Sequence, residues 1–197
     1  MLDPGEQTIA RALAEFPALV RPTATPLAGG LIHRSFAVTA ADGDYVLQRV
    51  HPVFAPEVHE NIAAVTEQLR RRGEPSPRLL VARGGRWWAD LGDAGIWRVM
   101  TRVPGVSFDT IQSAQQARAA AARVGTFHAA LGDLGHTFKA VRAGVHDTSA
   151  HMHTLARALS DHREHRLQPE VAELAAHILA GYAGLPPPAD VPLRVCH

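Results

Sequence analysis

Residues 29–50, GGLIHRSFAVTAADGDYVLQRV, decide the fold of this chain. Phe36 and Val38 alternate with Ala37 and Thr39, and a second extended run covers Tyr45 to Val50. Between them stands AADGD, whose Asp42-Gly43 pair favours hairpin geometry with positive φ. The stretch predicts two strands around a tight turn, preceded by Gly29-Gly30. Upstream, Ile9, Ala12, Leu13 and Phe16 recur at helical spacing and predict an amphipathic helix over 5–16. Pro17, Pro22 and Pro26 end it and lead into an extended segment.

Downstream, Pro52 and Pro56 punctuate a loop, and Val58, Ile62, Val65 and Leu69 place a second helix over 57–72. Gly73 stops it, and Arg70, Arg71 and Arg72 complement the dipole of its last turn. Residues 75–103, PSPRLLVARGGRWWADLGDAGIWRVMTRV, read as three short strands: 78–82, 86–91 and 96–103. Pro104-Gly105 is a break, and the pattern beyond it is helical. Helices are expected over 114–132, with Val124, Phe127, His128 and Leu131 on one face, over 147–160, and over 168–182. A proline-rich connector, GLPPPADVPL, precedes what reads as the start of a strand at Leu193–Cys196. The order of elements predicts an α+β protein of two lobes dividing near residue 103.

The composition narrows the function classes. With 197 residues, 46% of them hydrophobic, the chain can bury one substantial core or two small lobes. A net charge of +1 gives no electrostatic reason to expect a nucleic-acid or membrane partner. Cys196 is the only cysteine, which excludes an intrachain disulfide and fits a reducing cytoplasm. No apolar run approaches a bilayer span, and the N-terminus, with Asp3 and Glu6, does not resemble a signal peptide.

Five stretches in their order resemble the aminoglycoside phosphotransferase and choline kinase superfamily, and within it the N-acetylhexosamine 1-kinase-like branch. They are GGLIHRSFAV, YVLQRVHPVFAPEVHENIAAVTEQL, WRVMTRVPG, VGTFHAALGDL and GVHDTSAHM, together spanning roughly residues 28–155. The resemblance implies a protein-kinase-like fold. An N-lobe over 1–103 would hold an antiparallel sheet of about five strands and one crossing helix. A hinge would lie at 99–104, and 105–197 would form a partial helical C-lobe. It also implies ATP and Mg²⁺ as cofactors and a hydroxyl group on a small polar molecule, an amino sugar or related sugar, as acceptor.

The same resemblance distributes roles. Gly29 and Gly30 would let backbone N–H groups approach the phosphates, though a Gly-Gly pair is also an ordinary turn. There is no GxxxxGK[ST] segment and no GxGxxG leading from a strand into a helix. His33, Arg34 and Ser35 would occupy the loop tip, with Ser35 donating to a phosphate oxygen. The fold needs a cation on the third strand, oriented by a carboxylate on the following helix. No lysine stands there, so Arg49 is the candidate cation, with Gln48 as the alternative set by strand alternation. Glu60 would be its partner, with Glu67 as the fallback. Val99, Met100, Thr101 and Arg102 would form the hinge that meets adenine. His128 would pack in the helical lobe. In His146-Asp147-Thr148, either Asp147 or Thr148 is also suited to cap a helix.

Two rival readings come from the same residues. Among twelve histidines, His162 and His165 share a helical face and suit a metal, yet they sit among charged residues as a solvated helix would, beside His146, His151 and His153. The other rival is a non-catalytic nucleotide-binding or interaction module. The family's base lies in a His-Gly-Asp or His-Asn-Asp segment after the proline-rich connector, with Mg²⁺ ligands beyond. Here PLRVCH reaches His197, which resembles the first residue of that segment. The sequence therefore predicts a fragment that is inactive alone or completed by a second chain. Its later helices would leave the face of Val171, Leu174 and Ile178 open for self-association.

Overall fold

The computed structural model describes residues 4–28, 32–141, 144–145, 147–186 and 195. Its elements in chain order begin with helix α1 (Pro4–Ala14) and strands β1 (Thr23–Leu27), β2 (Arg34–Ala40) and β3 (Gly43–Arg49). Helix α2 (Val58–Arg71), β4 (Ala89–Asp90) and β5 (Ile96–Thr101) come next, then helices α3 (Ala114–Ala130), α4 (Thr148–Asp161) and α5 (Gln168–Ala183). The α+β class is as expected, with one sheet of five antiparallel strands in the order β1-β2-β3-β5-β4.

The hairpin of β2 and β3 closes at Ala40 opposite Gly43, so its loop is Ala41–Asp42. Of the Asp-Gly pair only Gly43 has positive φ, +152°, a conformation open to glycine. Asp42 instead accepts a hydrogen bond from the Tyr45 hydroxyl at 2.7 Å. The membership of the sheet departs from expectation at one place. Residues 78–82 contribute only a bridge from Leu79 to Met100, because Gly84 and Gly85, both with positive φ, turn the chain soon afterwards. The extended segment at 23–27 supplies the fifth strand instead. It can carry Pro26 because it lies at the sheet edge.

One face of the sheet presents Phe36, Val38, Tyr45, Leu47, Trp97 and Val99 to Ala12, Leu13 and Phe16 at the N-terminal helix. The Phe36 and Trp97 rings stack at 6.1 Å. Each large side chain fully buried here contributes roughly 1.5–3 kcal/mol of transfer free energy.

Helix α2 is tied to the chain beyond β5. Val65 and Leu69 pack with Phe127, Ala130 and Leu131 at the end of α3. Asn61, buried, accepts from the Lys139 backbone N–H at 2.9 Å and donates to the Lys139 carbonyl at 2.7 Å. Gln68 donates to Asp133 at 3.0 Å, and Arg72 pairs with the same carboxylate.

The chain divides into two compact units, Met1–Val141 with Arg194–His197, and Arg142–Leu193. In the second, α4 and α5 pack as a helical pair around an apolar cavity of about 350 Å³ lined by Leu155, Leu159, Leu167 and Val171. Asp147 caps α4 by accepting from the Ala150 N–H at 2.9 Å, which assigns the cap to Asp147 rather than Thr148. Val171, Leu174 and Ile178 are 45, 62 and 40% exposed, so this stripe of α5 is open in the chain as it stands. Of the strand expected at Leu193–Cys196, only Val195 is described, and it is not in a strand. Among the described residues no helix is long and apolar enough to cross a membrane.

Candidate functional site

Strand alternation separates β2, β3 and β5 into two chemistries. Ser35, Gln48 and Arg98 stand directly opposite one another across the three strands and therefore on one face, away from the α1 core. Gln48 is the middle of the row. Its Nε2 donates to the Ser35 hydroxyl oxygen at 2.9 Å, and its Oε1 accepts from Arg98 Nε at 2.9 Å. The Ser35 hydroxyl accepts here and keeps its own O–H to donate. The next row on this face is Ala37, Val46 and Met100. A polar row and an apolar row thus lie side by side.

Arg98 is only 9% exposed, and burial pushes its guanidinium pKa down. Among the described residues no carboxylate pairs with it. Its titratable neighbours are the imidazoles of His33 and His59. His33 is lowered by burial, then by Arg98 and His51, and its Nδ1 accepts from the His51 backbone N–H at 3.2 Å. His59 has no exposed surface and stacks on Trp88 at 5.4 Å. Its Nδ1 donates to the Pro56 carbonyl at 2.6 Å, leaving Nε2 as a buried lone pair without a hydrogen-bond partner. Burial holds its pKa at about 4; the Pro56 bond opposes this, and Arg98 and His33 add to the lowering.

The residues expected to form a phosphate clamp do not all meet. Arg49 stands in register with Arg34 and Trp97, on the α1 side of the sheet. Its guanidinium lies against the bare backbone of Gly95, where an added Cβ would come within 3.1 Å of Nε. Gln48, not Arg49, shares a face with Ser35. Glu60 pairs with Lys139 Nζ, and Glu67 pairs with Arg70 and Arg71, which lower its carboxyl to about 2. Neither carboxylate is paired with Arg49.

The residues expected at the hinge divide by side chain and backbone. Val99 is fully buried in the core, and its carbonyl accepts from Leu80 N–H at 2.9 Å. Met100 lies on the apolar row. Thr101 N–H donates to the Arg78 carbonyl at 2.9 Å and Arg102 N–H to the Asp44 carbonyl at 3.0 Å. A cleft of about 440 Å³ opens beside Thr101, between α2 and residues 78–80, with Trp87 on its wall. His128 meets the ring of Phe127 edge-on at 5.6 Å. Gly29, Gly30, His146 and His197 lie outside the described residues.

Arg98, His59 and Asn61 are buried polar residues that sequence reasoning passed over. For Arg98 a signal was available: a charged residue inside the apolar run IWRVM, at a two-residue step from Met100. Among the described residues no group of three or more His, Cys, Asp or Glu is placed to hold a metal. His162 and His165 instead line the apolar cavity between α4 and α5. A Mg²⁺ ion held by one or two carboxylates together with phosphate oxygens and water needs no such group, and Ser35, Gln48 and Arg98 present their polar side chains on one sheet face.

No curated protein sequence matches the chain. Among solved structures it is similar to an aminoglycoside phosphotransferase from Alicyclobacillus acidocaldarius subsp. acidocaldarius DSM 446, with a TM-score of 0.55 and 14% identity. The match covers 93% of this chain and 54% of that one, so the chain spans about half the length of that enzyme. The shared fold is kinase-like. Residues 23–197 match the phosphotransferase enzyme family, and with most of its length matched the chain belongs to that family.

Proposed function

We propose that this chain supplies the nucleotide-binding part of a small-molecule kinase that transfers a phosphoryl group from ATP to a hydroxyl. The observation that carries the reading is the pair of rows on one sheet face. Ala37, Val46 and Met100 offer an apolar wall suited to a purine ring, and Ser35, Gln48 and Arg98 offer donors one step further along the strands. Phosphoryl transfer in this fold is chiefly positioning and electrostatic stabilisation, so such a surface is the part a nucleotide-binding lobe must provide. Gly29 and Gly30, just before β2, are assigned to the phosphates. The 99–102 segment is assigned to adenine. The N–H groups of Thr101 and Arg102 are already bonded within the protein, so neither is free to meet the adenine edge.

An amino sugar or related sugar is the acceptor we favour, on the strength of the five stretches shared with the N-acetylhexosamine 1-kinase-like branch. The 197 residues contain no His-Gly-Asp or His-Asn-Asp segment, so binding without turnover is the behaviour expected of this chain by itself. The test is a thermal melt of the chain with Mg·ATP, ADP and adenosine. A ligand that binds only the folded state raises the melting temperature as its concentration passes Kd. Stabilisation by ATP and ADP is expected. Identical melts up to millimolar nucleotide would sink the reading.

A further inference from the structure

We infer that the cation that holds the nucleotide phosphates in this chain is Arg98, on β5, and that Gln48, on β3, is its positioning residue. The inference rests on the nucleotide-binding reading above and assigns the charge within it.

A phosphate clamp needs a cation on the nucleotide face of the sheet. β3 offers none there, because alternation puts Gln48 on that face and Arg49 against Gly95 on the other. Arg98 sits one strand over, directly opposite Gln48, and is bonded to it through Nε. That bond uses one of the five guanidinium N–H groups and leaves the terminal NH₂ groups to meet an anion in bidentate fashion. Gln48 fixes the guanidinium and, through its other amide atom, draws Ser35 into the same row.

A structural role alone accounts poorly for this residue. A buried guanidinium is ordinarily paired with a carboxylate. Here none pairs with it among the described residues, and the ionisable groups that feel its charge are two imidazoles, His33 and His59. His59 Nε2, buried and without a partner, adds no negative charge. The arrangement is short of an anion, and one charged ligand supplies it. Lys139, the chain's only lysine, is paired with Glu60 in the segment after α3.

The test measures binding of tripolyphosphate, ATP and adenosine to the chain by calorimetry, in wild type, Arg98→Met, Arg49→Met and the exchanged pair Gln48→Lys with Arg98→Met. Tripolyphosphate reads the anion site without adenine, and adenosine reads the apolar wall without charge. In Arg98→Met, tripolyphosphate and ATP affinity should fall about ten- to hundredfold, the usual worth of a charge-assisted hydrogen bond, with adenosine unaltered. The exchanged pair returns the cation to β3 and should recover most of the loss, which a purely structural arginine would not allow. Undiminished tripolyphosphate binding in Arg98→Met, or a loss that tracks Arg49 instead, overturns the inference. If Arg98→Met does not fold, the exchanged pair decides: binding near wild type supports the inference, and loss overturns it. Wild type that binds tripolyphosphate through Arg98 but neither ATP nor adenosine keeps the anion site and removes the nucleotide reading. Wild type that binds none of the three removes both.

Discussion

The two faces of β2, β3 and β5 are built from alternate residues of the same three strands, yet they share almost no chemistry. Toward α1 stand Phe36, Leu47 and Val99, all buried. One residue along each strand, on the other face, stand Ser35, Gln48 and Arg98, joined by two hydrogen bonds. The first face is closed by packing and holds the sheet in place. The second is also largely buried, and among the described residues no carboxylate pairs with its guanidinium. A slip of one residue in register would exchange the two sets, turning Arg98 toward the α1 core and Leu47 away from it. The register is therefore fixed by the dry face, and the chemistry of the other face is a consequence of it.

Removing packing from the dry face should give the largest effect. Leu47 has no exposed surface, and Leu47→Ala should cost about 2–5 kcal/mol in urea unfolding, the loss of transfer energy plus a cavity. Tripolyphosphate affinity of the folded fraction should stay near wild type, since no atom of the polar row is removed. A loss of that affinity in step with stability would mean that the two faces are not separable.

Acid should break the other side of the comparison. His59 is buried and neutral, with a folded pKa of about 4 against 6.5 in the unfolded chain. Between those values the unfolded state takes up a proton that the folded state refuses, so stability is complete above pH 6.5 and falls as pH drops toward 4. The full shift corresponds to on the order of 3 kcal/mol. His59→Phe keeps a ring against Trp88 and should flatten this part of the pH profile. A variant whose profile still matches wild type between pH 6.5 and 5 would remove His59 as its source.

Legibility in the sequence divides along the same line. The hairpin, the helices and the apolar positions of the dry face are written in spacing, because burial selects residue type and alternation selects the face. Phe36, Val38, Tyr45 and Leu47 could be read that way. The polar face could not, because its meaning lies in partners on other strands. Which of Gln48 and Arg49 shares a face with Ser35 is set by strand register, and the pairing of Gln48 with Arg98 joins residues 50 apart in the chain. The partners that Glu60 and Asn61 take up were hidden for a similar reason. Their partner segment at 136–139 has no periodic pattern, and the bonds that give it a place run from α2. The strand expected at 78–82 failed in the opposite way: its composition is right, but two positive-φ glycines end the pairing after one bridge.

A smaller effect is expected when the polar row is cut without touching its charge. Gln48→Leu has a similar volume but neither amide atom, so Arg98 Nε and the Ser35 hydroxyl both lose a partner. Losing a hydrogen bond to a charged group costs about 1.5–3 kcal/mol, and urea unfolding at neutral pH measures it. Tripolyphosphate affinity should fall as well, because the guanidinium is no longer held in the orientation that meets the anion. If stability is unchanged, the Gln48 bonds are dispensable and the row is not a unit.

The smallest effect belongs to Glu60, the carboxylate that a phosphate clamp would lead one to expect. Its side chain and that of Lys139 are 36% and 52% exposed, so their ion pair is solvated and screened by salt. Glu60→Gln should cost less than about 1 kcal/mol at physiological ionic strength, and nothing measurable at high salt. Asn61→Ala, one residue on, removes three hydrogen bonds to His136 and Lys139 from a buried side chain and should cost more. The neutral amide, then, holds the 136–139 segment to α2, and the neighbouring charges add little. If instead Glu60→Gln lowers tripolyphosphate affinity tenfold, the carboxylate reaches the anion-binding cation after all, and the orienting role passes from Gln48 back to α2.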